Sequence, residues 1–256
     1  MPWELAVLII VVAALAFTAC LWLVRRLVRK HVDEGHNEVL IPIFLTAGTI
    51  YAVLIAFVVI AVWEAHDAAN ANAAEEASTL TTMYRQTDGM PQAERSELRR
   101  LIRGYTTAVV DEEWAIQAKT GGASPTARRY VGQIYRSFGQ LPAREAASPI
   151  SVEFLRSFST VAADRNRRTL EAGESLPGPM WFALIFGAVI VVGMTFFLSM
   201  NVFWLHYVIS GAMTVLIGTL LAITLLLNRP FSGPLAIDAG SFEHSIGVYD
   251  SVDRGD

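Results

Sequence analysis

The chain has 256 residues, of which 53% are hydrophobic and 17% are charged, and its formal net charge at pH 7 is −4. Soluble domains are about 25% charged, and here the charged residues are concentrated between four windows that contain almost none. This distribution is typical of a membrane protein with an extramembrane domain. The small net charge gives no indication of nucleic-acid binding. The single cysteine, Cys20, lies in an apolar run, which excludes a framework of intrachain disulfides.

The first apolar window covers about residues 5–24 and predicts a transmembrane helix. It is longer than the core of a signal peptide, and neither a preceding basic residue nor a following cleavage site accompanies it. Four basic residues follow it instead: Arg25, Arg26, Arg29 and Lys30. We therefore interpret the window as a retained membrane anchor rather than a cleaved leader.

Three further apolar windows cover about residues 39–62, 180–200 and 205–227. Because a helix needs roughly 20 apolar residues to cross a bilayer and lipid cannot satisfy free backbone groups, all four windows are predicted to be helices. Pro42 lies in the first turn of the second window, where proline is tolerated. Short links join the first window to the second and the third to the fourth, so each pair is predicted to form an antiparallel hairpin.

The predicted fold class is an all-α integral membrane protein with four transmembrane helices in two hairpins and an extramembrane helical bundle inserted between spans 2 and 3. The predicted divisions are a transmembrane hairpin at 1–63, an extramembrane helical domain at 64–179, a second hairpin at 180–228 and a C-terminal tail at 229–256. No glycine or proline follows Trp63 until Gly89. The second span is therefore predicted to continue into the domain as one helix from Val39 to about Thr87, roughly 70 Å long at about 1.5 Å per residue.

Within the domain, glycine and proline predict helix breaks at 89–91, 121–125 and 142–149. An apolar stripe between the first two breaks predicts an amphipathic helix with a core-facing side. The residues of this stripe are Leu98, Leu101, Ile102, Tyr105, Val109 and Ile116. Similar spacing after the second and third breaks predicts two more helices, and no alternating run predicts a strand.

The residue pattern shows no signature of catalysis. The five histidines do not pair with a carboxylate at ligand spacing on a helix, so no metal site is predicted. Gly121 and Gly122 are not followed by a lysine, and no serine lies in a nucleophile elbow. We therefore predict a protein that is not an enzyme and has no cofactor. The span interiors contain no Asp, Glu, Lys or Arg, which disfavours a charge-coupled transporter but permits a passive pore built from several subunits.

Several residues together resemble the bestrophin-like domain family over about residues 40–240. They are Tyr51, Phe57 and Trp63 at six-residue spacing, Glu76, Glu113, Trp114, Arg165, Arg168, Pro177 and Trp181, and the string Arg229-Pro230-Phe231-Ser232-Gly233, which is the most specific element. The resemblance implies kinship with bestrophins, which are pentameric anion channels whose second helix lines the pore and carries an apolar constriction. The corresponding constriction residues here are Ile55, Phe57, Val58 and Ile60. The acidic calcium-binding sequence of bestrophins is not visible, so calcium gating is not implied.

The same motif residues also have simpler structural interpretations. Trp63 and Trp181 lie at span ends, where aromatic residues form interfacial belts, and Trp114 fits a core position. Arg165 and Arg168 can pair with Glu112, Glu113 or Glu76 to hold the bundle, or can face a permeant anion. The string from Arg229 to Gly233 ends the fourth helix and can dock the chain after it onto the domain.

The sequence leaves the orientation and the function open between alternatives. The basic residues at 25–30 place the first loop in the cytoplasm by the positive-inside rule, which puts the large domain outside. Bestrophins have the opposite arrangement, and Arg165, Arg167 and Arg168 before the third span weaken the rule here. The first functional hypothesis is a homo-oligomeric, anion-selective pore in the inner (plasma) membrane, lined by span 2. The alternative is a non-catalytic accessory or scaffold subunit of a larger membrane complex. In either case the expected surroundings are the lipid bilayer and protein subunits, without nucleic acid.

Overall fold

The computed structural model describes most of the chain beyond residue 35. The described residues are Glu4, Leu8, Val11, Val12, 14–17, Ala19, Trp22, 36–198 and 202–255. The described residues of the first predicted span are helical, but the rest of that window lies outside the described residues, as does the basic segment 25–35. The described chain divides into two compact units. One comprises 1–64 and 175–228, and the other comprises 65–174 and 229–256.

The longest helix, α1, runs from His36 to Gln86 without interruption over 51 residues. This confirms the prediction that the second apolar window continues into the polar domain as one helix. Alanine-rich sequence after Trp63 favours the helix, since alanine has the highest helix propensity and no proline or glycine follows before Gly89. The helix begins earlier than predicted, so Pro42 lies in its second turn rather than its first.

Two further apolar helices are α7, Gly178–Met194, which continues as a 3₁₀ turn to Phe197, and α8, Phe203–Leu227. The third predicted span therefore ends a few residues earlier than expected. Among the described residues, three helices are long and apolar enough to span a membrane: Asn37–Gly89, Gly178–Phe197 and Trp204–Leu227. In the unit that contains 175–228, these helices share a core made of Tyr51, Ile55, Val58, Val62, Leu184, Ala188, Val191, Val192, Ile217 and Leu227.

The second unit is built from the polar half of α1 and a set of shorter helices. These are α2, Gln92–Ala108; α3, Trp114–Thr120; α4, Pro125–Gly139; α5, Ala143–Ala146; α6, Pro149–Glu171; and α9, Gly240–Arg254. A π-helical turn, Val109–Glu113, joins α2 to α3. The three predicted breaks are present. The chain leaves the helical conformation at Met90 in the first break. It takes a left-handed turn at Gly121 in the second, and the helices after the second and third breaks begin at the capping serines Ser124 and Ser148.

The core of this unit confirms the predicted apolar stripe of α2. Leu98, Leu101, Ile102, Tyr105 and Val109 are each at most 1% exposed, whereas Ile116 is only partly buried. Residues of four other helices pack against this stripe: Leu80, Met83, Tyr84, Ile134, Phe154, Phe158, Phe242 and Tyr249. The last two belong to α9, so the C-terminal segment forms a helix that is packed in this core. Its stripe of Phe242, Ile246 and Tyr249 has helical spacing, and this signal is readable in the sequence.

Candidate functional site

A fully buried ionic network lies in the unit that contains α2 and α6. Glu76 of α1, Glu113 at the end of the π turn and Arg168 of α6 are each 0% exposed. Arg168 donates from Nε to Glu76 Oε2 over 2.8 Å and from Nη2 to Glu113 Oε1 over 3.0 Å. Arg165 donates to Glu113 Oε2 over 2.7 Å. Of the three predicted partners of these arginines, Glu76 and Glu113 are confirmed, whereas Glu112 accepts a hydrogen bond from Ser124 Oγ instead.

Neutral polar groups add further hydrogen bonds to the network. The Tyr105 hydroxyl donates to Glu76 Oε1, and the Ser124 backbone N–H donates to Glu113 Oε2 over 2.8 Å. The amide oxygen of Gln117 accepts from Arg168 over 2.9 Å. Every carboxylate oxygen of the two glutamates thus has at least one donor. Two positive charges balance two negative ones, which is the condition under which buried charges are tolerated.

Aromatic rings enclose the guanidinium group of Arg168. Its Cζ lies 5.2 Å from the ring centroid of Trp114 and 5.4 Å from that of Phe242. These distances are within the range of a cation–π interaction. Trp114 is held in turn by a hydrogen bond from Nε1 to the Ile237 carbonyl, 2.9 Å long, and by an edge contact with Phe231. The network therefore connects α1, α3 and α6 to the segment that follows Leu227.

Burial and the neighbouring charges fix the protonation states in this network. Burial alone would lower the pKa of Arg168, but the negative charge of Glu76 and the contributions of Tyr105 and Glu113 outweigh it and raise that pKa. Burial first, and then the charge of Glu76, raise the pKa of Tyr105 well above its ordinary value. Arg168 therefore remains a cation and Tyr105 remains a hydrogen-bond donor over the whole physiological range. These properties suit a structural element rather than an acid–base catalyst.

The string Arg229-Pro230-Phe231-Ser232-Gly233 forms a tight turn within the same unit. Phe231 is 3% exposed and packs with Ala69 and Ile237. The Ile237 N–H donates to the Pro230 carbonyl over 2.8 Å and closes the turn, in which Gly233 has a φ of 96° that favours glycine. Arg229 itself is exposed. This geometry confirms the interpretation that the string docks the following chain onto the domain.

The aromatic motif residues of the apolar helices lie in different environments. Tyr51 is 6% exposed, and its ring lies against Gly187 of α7 so closely that a Cβ there would be 2.5 Å from the ring. Trp63 is 61% exposed, whereas Trp181 packs against the core of its unit. The interfacial role of Trp63 and Trp181 remains a prediction.

The four predicted constriction residues lie on two different faces of α1. Ile55 and Val58 are 4% and 2% exposed and belong to the core shared with α7 and α8. Phe57 and Ile60 are 69% and 52% exposed. A helix turns by about 100° per residue, so these two pairs cannot project to the same side. Of these four residues, only Phe57 and Ile60 are exposed within one chain and available to line a pathway. That role remains a prediction.

The family model for the bestrophin-like domain matches residues 11–242. The chain belongs to the bestrophin-like family. It is therefore a membrane protein of that family, as the resemblance implied. No curated protein matches the chain significantly.

Solved structures share the bestrophin-like fold along nearly the whole chain. A point mutant of a bacterial bestrophin homologue from Klebsiella pneumoniae matches with a TM-score of 0.75 at 11% identity, covering 96% of this chain and 99% of that one. The structure of the same homologue from Zn-SAD phasing gives a TM-score of 0.70 at 13% identity, covering 96% and 98%. A mutant described only as a membrane protein gives 0.75 at 13% identity, covering 96% and 98%. At these identities the likeness establishes the fold alone.

Three residues of the network in this bestrophin-like chain escaped the sequence reasoning. The sequence pattern places Tyr105 only in the apolar stripe of its helix, and it does not single out Gln117 or Ser124. Their contacts depend on helices that are distant in the sequence, so no local pattern shows them. Tyr105, Val109, Glu113 and Gln117 recur at four-residue spacing in the sequence, and the structure shows that all four are buried.

Proposed function

We propose that this protein forms a homo-oligomeric, passive pore that is lined by the exposed face of α1. The supporting observation is a continuous stripe of exposed residues along that helix, opposite to the residues that pack in the two cores. It contains Val39, Thr46, Ile50, Val53, Phe57, Ile60, Glu64, Asp67, Ala71, Glu75, Ser78 and Thr82, at helical spacing. Apart from Thr46, the stripe is bulky and apolar as far as Ile60, and it consists of small or polar residues after it. A bulky apolar stretch followed by polar residues is a chemically reasonable lining for a constriction and a wider vestibule.

Several chains would be needed to enclose such a pathway. The described residues supply three candidate membrane helices, and one of them would have to face the pathway. Large apolar residues are also exposed on all three helices, including Phe57 on α1, Phe182 on α7 and Trp204 on α8. In the proposed assembly these residues contact lipid, neighbouring copies or the pathway. We place the oligomer in the inner (plasma) membrane. Its mass in detergent gives the number of subunits.

Charge selectivity has two candidates that rest on different observations. Kinship with bestrophins supports anion selectivity. The stripe itself carries Glu64, Asp67 and Glu75 and no basic residue between His66 and Arg85, which favours cations if these carboxylates line the pathway. Reversal potentials in reconstituted bilayers under a potassium chloride gradient decide between them, because the sign of the potential gives the preferred ion. Glu75→Gln should shift that potential toward anions only if the stripe lines the pathway.

The pore proposal is tested by a pair of matched phenylalanine substitutions. Phe57→Ala on the stripe should increase ion flux into liposomes several-fold, because it removes the largest exposed apolar side chain of the predicted constriction. Phe182→Ala on α7 is the control, since Phe182 is 67% exposed and Phe57 is 69% exposed. Equal flux for both variants and the wild type would contradict the lining role of α1. A chain that is monomeric in detergent and conducts no ion would favour the alternative of an accessory or scaffold subunit.

For the orientation, we propose that the unit containing residues 65–174 lies outside the cytoplasm. The support is the basic segment at 25–30, which the positive-inside rule assigns to the cytoplasm. A cysteine placed at the exposed position Ser78, in a chain with Cys20→Ser, should react with a membrane-impermeant maleimide in intact spheroplasts. Labelling that requires permeabilised membranes would place this unit in the cytoplasm instead.

A further inference from the structure

A second buried polar cluster lies beside the ionic network, where α6 packs on the polar half of α1. Asn72 and Asp164 are 4% and 5% exposed. The side-chain amide of Asn72 donates to the backbone carbonyl of Asp164 over 3.1 Å and to Glu171 Oε2 over 3.3 Å. The cluster therefore joins a backbone carbonyl and a carboxylate of α6 to one amide of α1. The proposed pore does not use it.

Two oxygen atoms of this cluster are buried without a hydrogen-bond donor. They are Oδ2 of Asp164 and Oδ1 of Asn72. A buried acceptor without a donor costs about 1–3 kcal/mol, and more when it carries a charge. The charged groups of the neighbouring ionic network all have opposite partners. The carboxylate of Asp164 forms no ion pair among the residues that the structure describes.

The charges around Asp164 disfavour its ionised form. Burial is the largest effect and raises the pKa of Asp164, and the negative charges of Glu75 and Glu76 on α1 raise it further. Arg167 on α6 acts in the opposite direction, but Arg168 is already paired with Glu76. Burial likewise raises the pKa of Glu171, with Glu174 adding to the rise and Asn72, Arg167 and Arg168 opposing it.

A proton fits this site better than a metal ion. Among the residues that the structure describes, no three His, Cys, Asp or Glu side chains come together at metal-binding spacing. One proton on Asp164 removes the uncompensated charge. We propose that Asp164, beside the contact between α1 and α6 at Asn72, is a proton-binding site, and that its ionisation at rising pH places an unpaired charge at this contact and loosens it.

The sign of the pH dependence follows from the direction of the shift. A folded-state pKa above the unfolded value of about 3.9 means that the folded chain binds more protons in the interval between the two values. Stability from this site is therefore fully present below the unfolded pKa and is lost as the pH rises through the folded pKa. Glu171 contributes in the same direction. The hydrogen bond from Arg100 lowers the pKa of Glu97, which acts in the opposite direction, so the effect of Asp164 must be isolated by substitution.

The experiment uses the full-length protein in detergent and records its thermal unfolding midpoint from pH 4 to pH 8. Asp164→Asn keeps the shape of the side chain and supplies a permanent N–H donor. It should raise the midpoint at pH 8 relative to the wild type and remove the part of the decline that the wild type shows as the pH rises. Glu153→Gln is the matched control, because Glu153 lies on α6 and is exposed. This control should reproduce the wild-type profile.

Two results would overturn the proposal. An Asp164→Asn profile with the same decline as the wild type would show that Asp164 does not titrate in this range. A rise in the wild-type midpoint on adding Ca²⁺ or Na⁺ at pH 8, absent in the variant, would identify a metal ion in place of the proton. If the variant does not fold, infrared spectra of the wild type labelled with ¹³C-aspartate decide. A band from a protonated buried carboxyl group at pH values above the ordinary aspartate pKa supports the proposal, and its absence refutes it.

Discussion

Replacing Glu76 by glutamine keeps the shape of the side chain but removes one of the two negative charges of the buried ionic network. Arg165 and Arg168 would then share Glu113 alone, which leaves one positive charge without a partner in a fully buried site. Glutamine also offers an N–H group where Glu76 accepts from Tyr105 and twice from Arg168, so at least one donor would face another donor. Breaking a buried pair in this way costs about 3–5 kcal/mol. That is a large part of the roughly 5–15 kcal/mol that stabilises a typical domain.

Glu97→Gln is the matched control, because Glu97 forms an exposed pair with Arg100 one turn along α2. Such surface pairs contribute about 0–1 kcal/mol. Hydrogen–deuterium exchange of the slowest amides in α2 and α6 gives the free energy of unfolding of this unit directly. We expect Glu76→Gln to reduce that free energy by at least 2 kcal/mol more than Glu97→Gln, the lower end of the two ranges. Equal losses would refute the conclusion that the network carries uncompensated charge after the substitution.

Three further predictions concern packing, a tryptophan and a helix cap. Gly187→Ala should destabilise the apolar unit by about 1–3 kcal/mol in detergent unfolding, because the new Cβ would clash with the Tyr51 ring. Gly193→Ala on the same helix is the control and should be neutral, because its Cβ would have no atom within 4 Å. Trp114→Phe should lower the stability of this unit by about 1–3 kcal/mol, because it leaves the Ile237 carbonyl without its donor. Amide exchange after residue 229 should then be faster, and unchanged exchange would contradict the docking role. Ser124→Ala should cost about 0.5–2 kcal/mol, because the hydroxyl accepts from the N–H groups of Thr126 and Ala127 at the start of α4, and an unchanged exchange rate in α4 would show that the cap is unimportant.

Sequence reasoning succeeded where one local pattern determined the structure. The absence of glycine and proline after Trp63 was enough to predict one helix from Val39 to about Thr87, close to the observed His36–Gln86. The stripe of α2 was enough to predict its buried side. The sequence also predicted that Arg165 and Arg168 can pair with Glu76, Glu112 or Glu113, but not which arginine contacts which glutamate. The first two features depend on propensity and periodicity, which are properties of consecutive residues.

The constriction prediction shows a limit that helical geometry alone could have revealed. Ile55 and Val58 are three residues apart, as are Phe57 and Ile60, but the two pairs are offset by about 200° around the helix. All four could not have faced one pathway. Which pair packs inside the chain depends on α7 and α8, more than 100 residues later, and only the structure supplies that information. The same holds for Tyr105, Gln117 and Ser124, whose polar partners come from other helices.

The π-helical turn at Val109–Glu113 has a consequence for how this chain can change in length. Tyr105, Val109, Glu113 and Gln117 point inward at intervals of four residues, and an α-helix drifts by about 40° over each such interval. The wider turn absorbs this drift, as a single extra residue would. Losing the exposed Asp111 would let α2 and α3 merge into an ordinary helix with a glutamate and a glutamine still facing the arginines. A one-residue deletion should therefore be tolerated in the π turn but not within α2. Natural or engineered chains that differ in length by one residue can differ at this turn without losing the network.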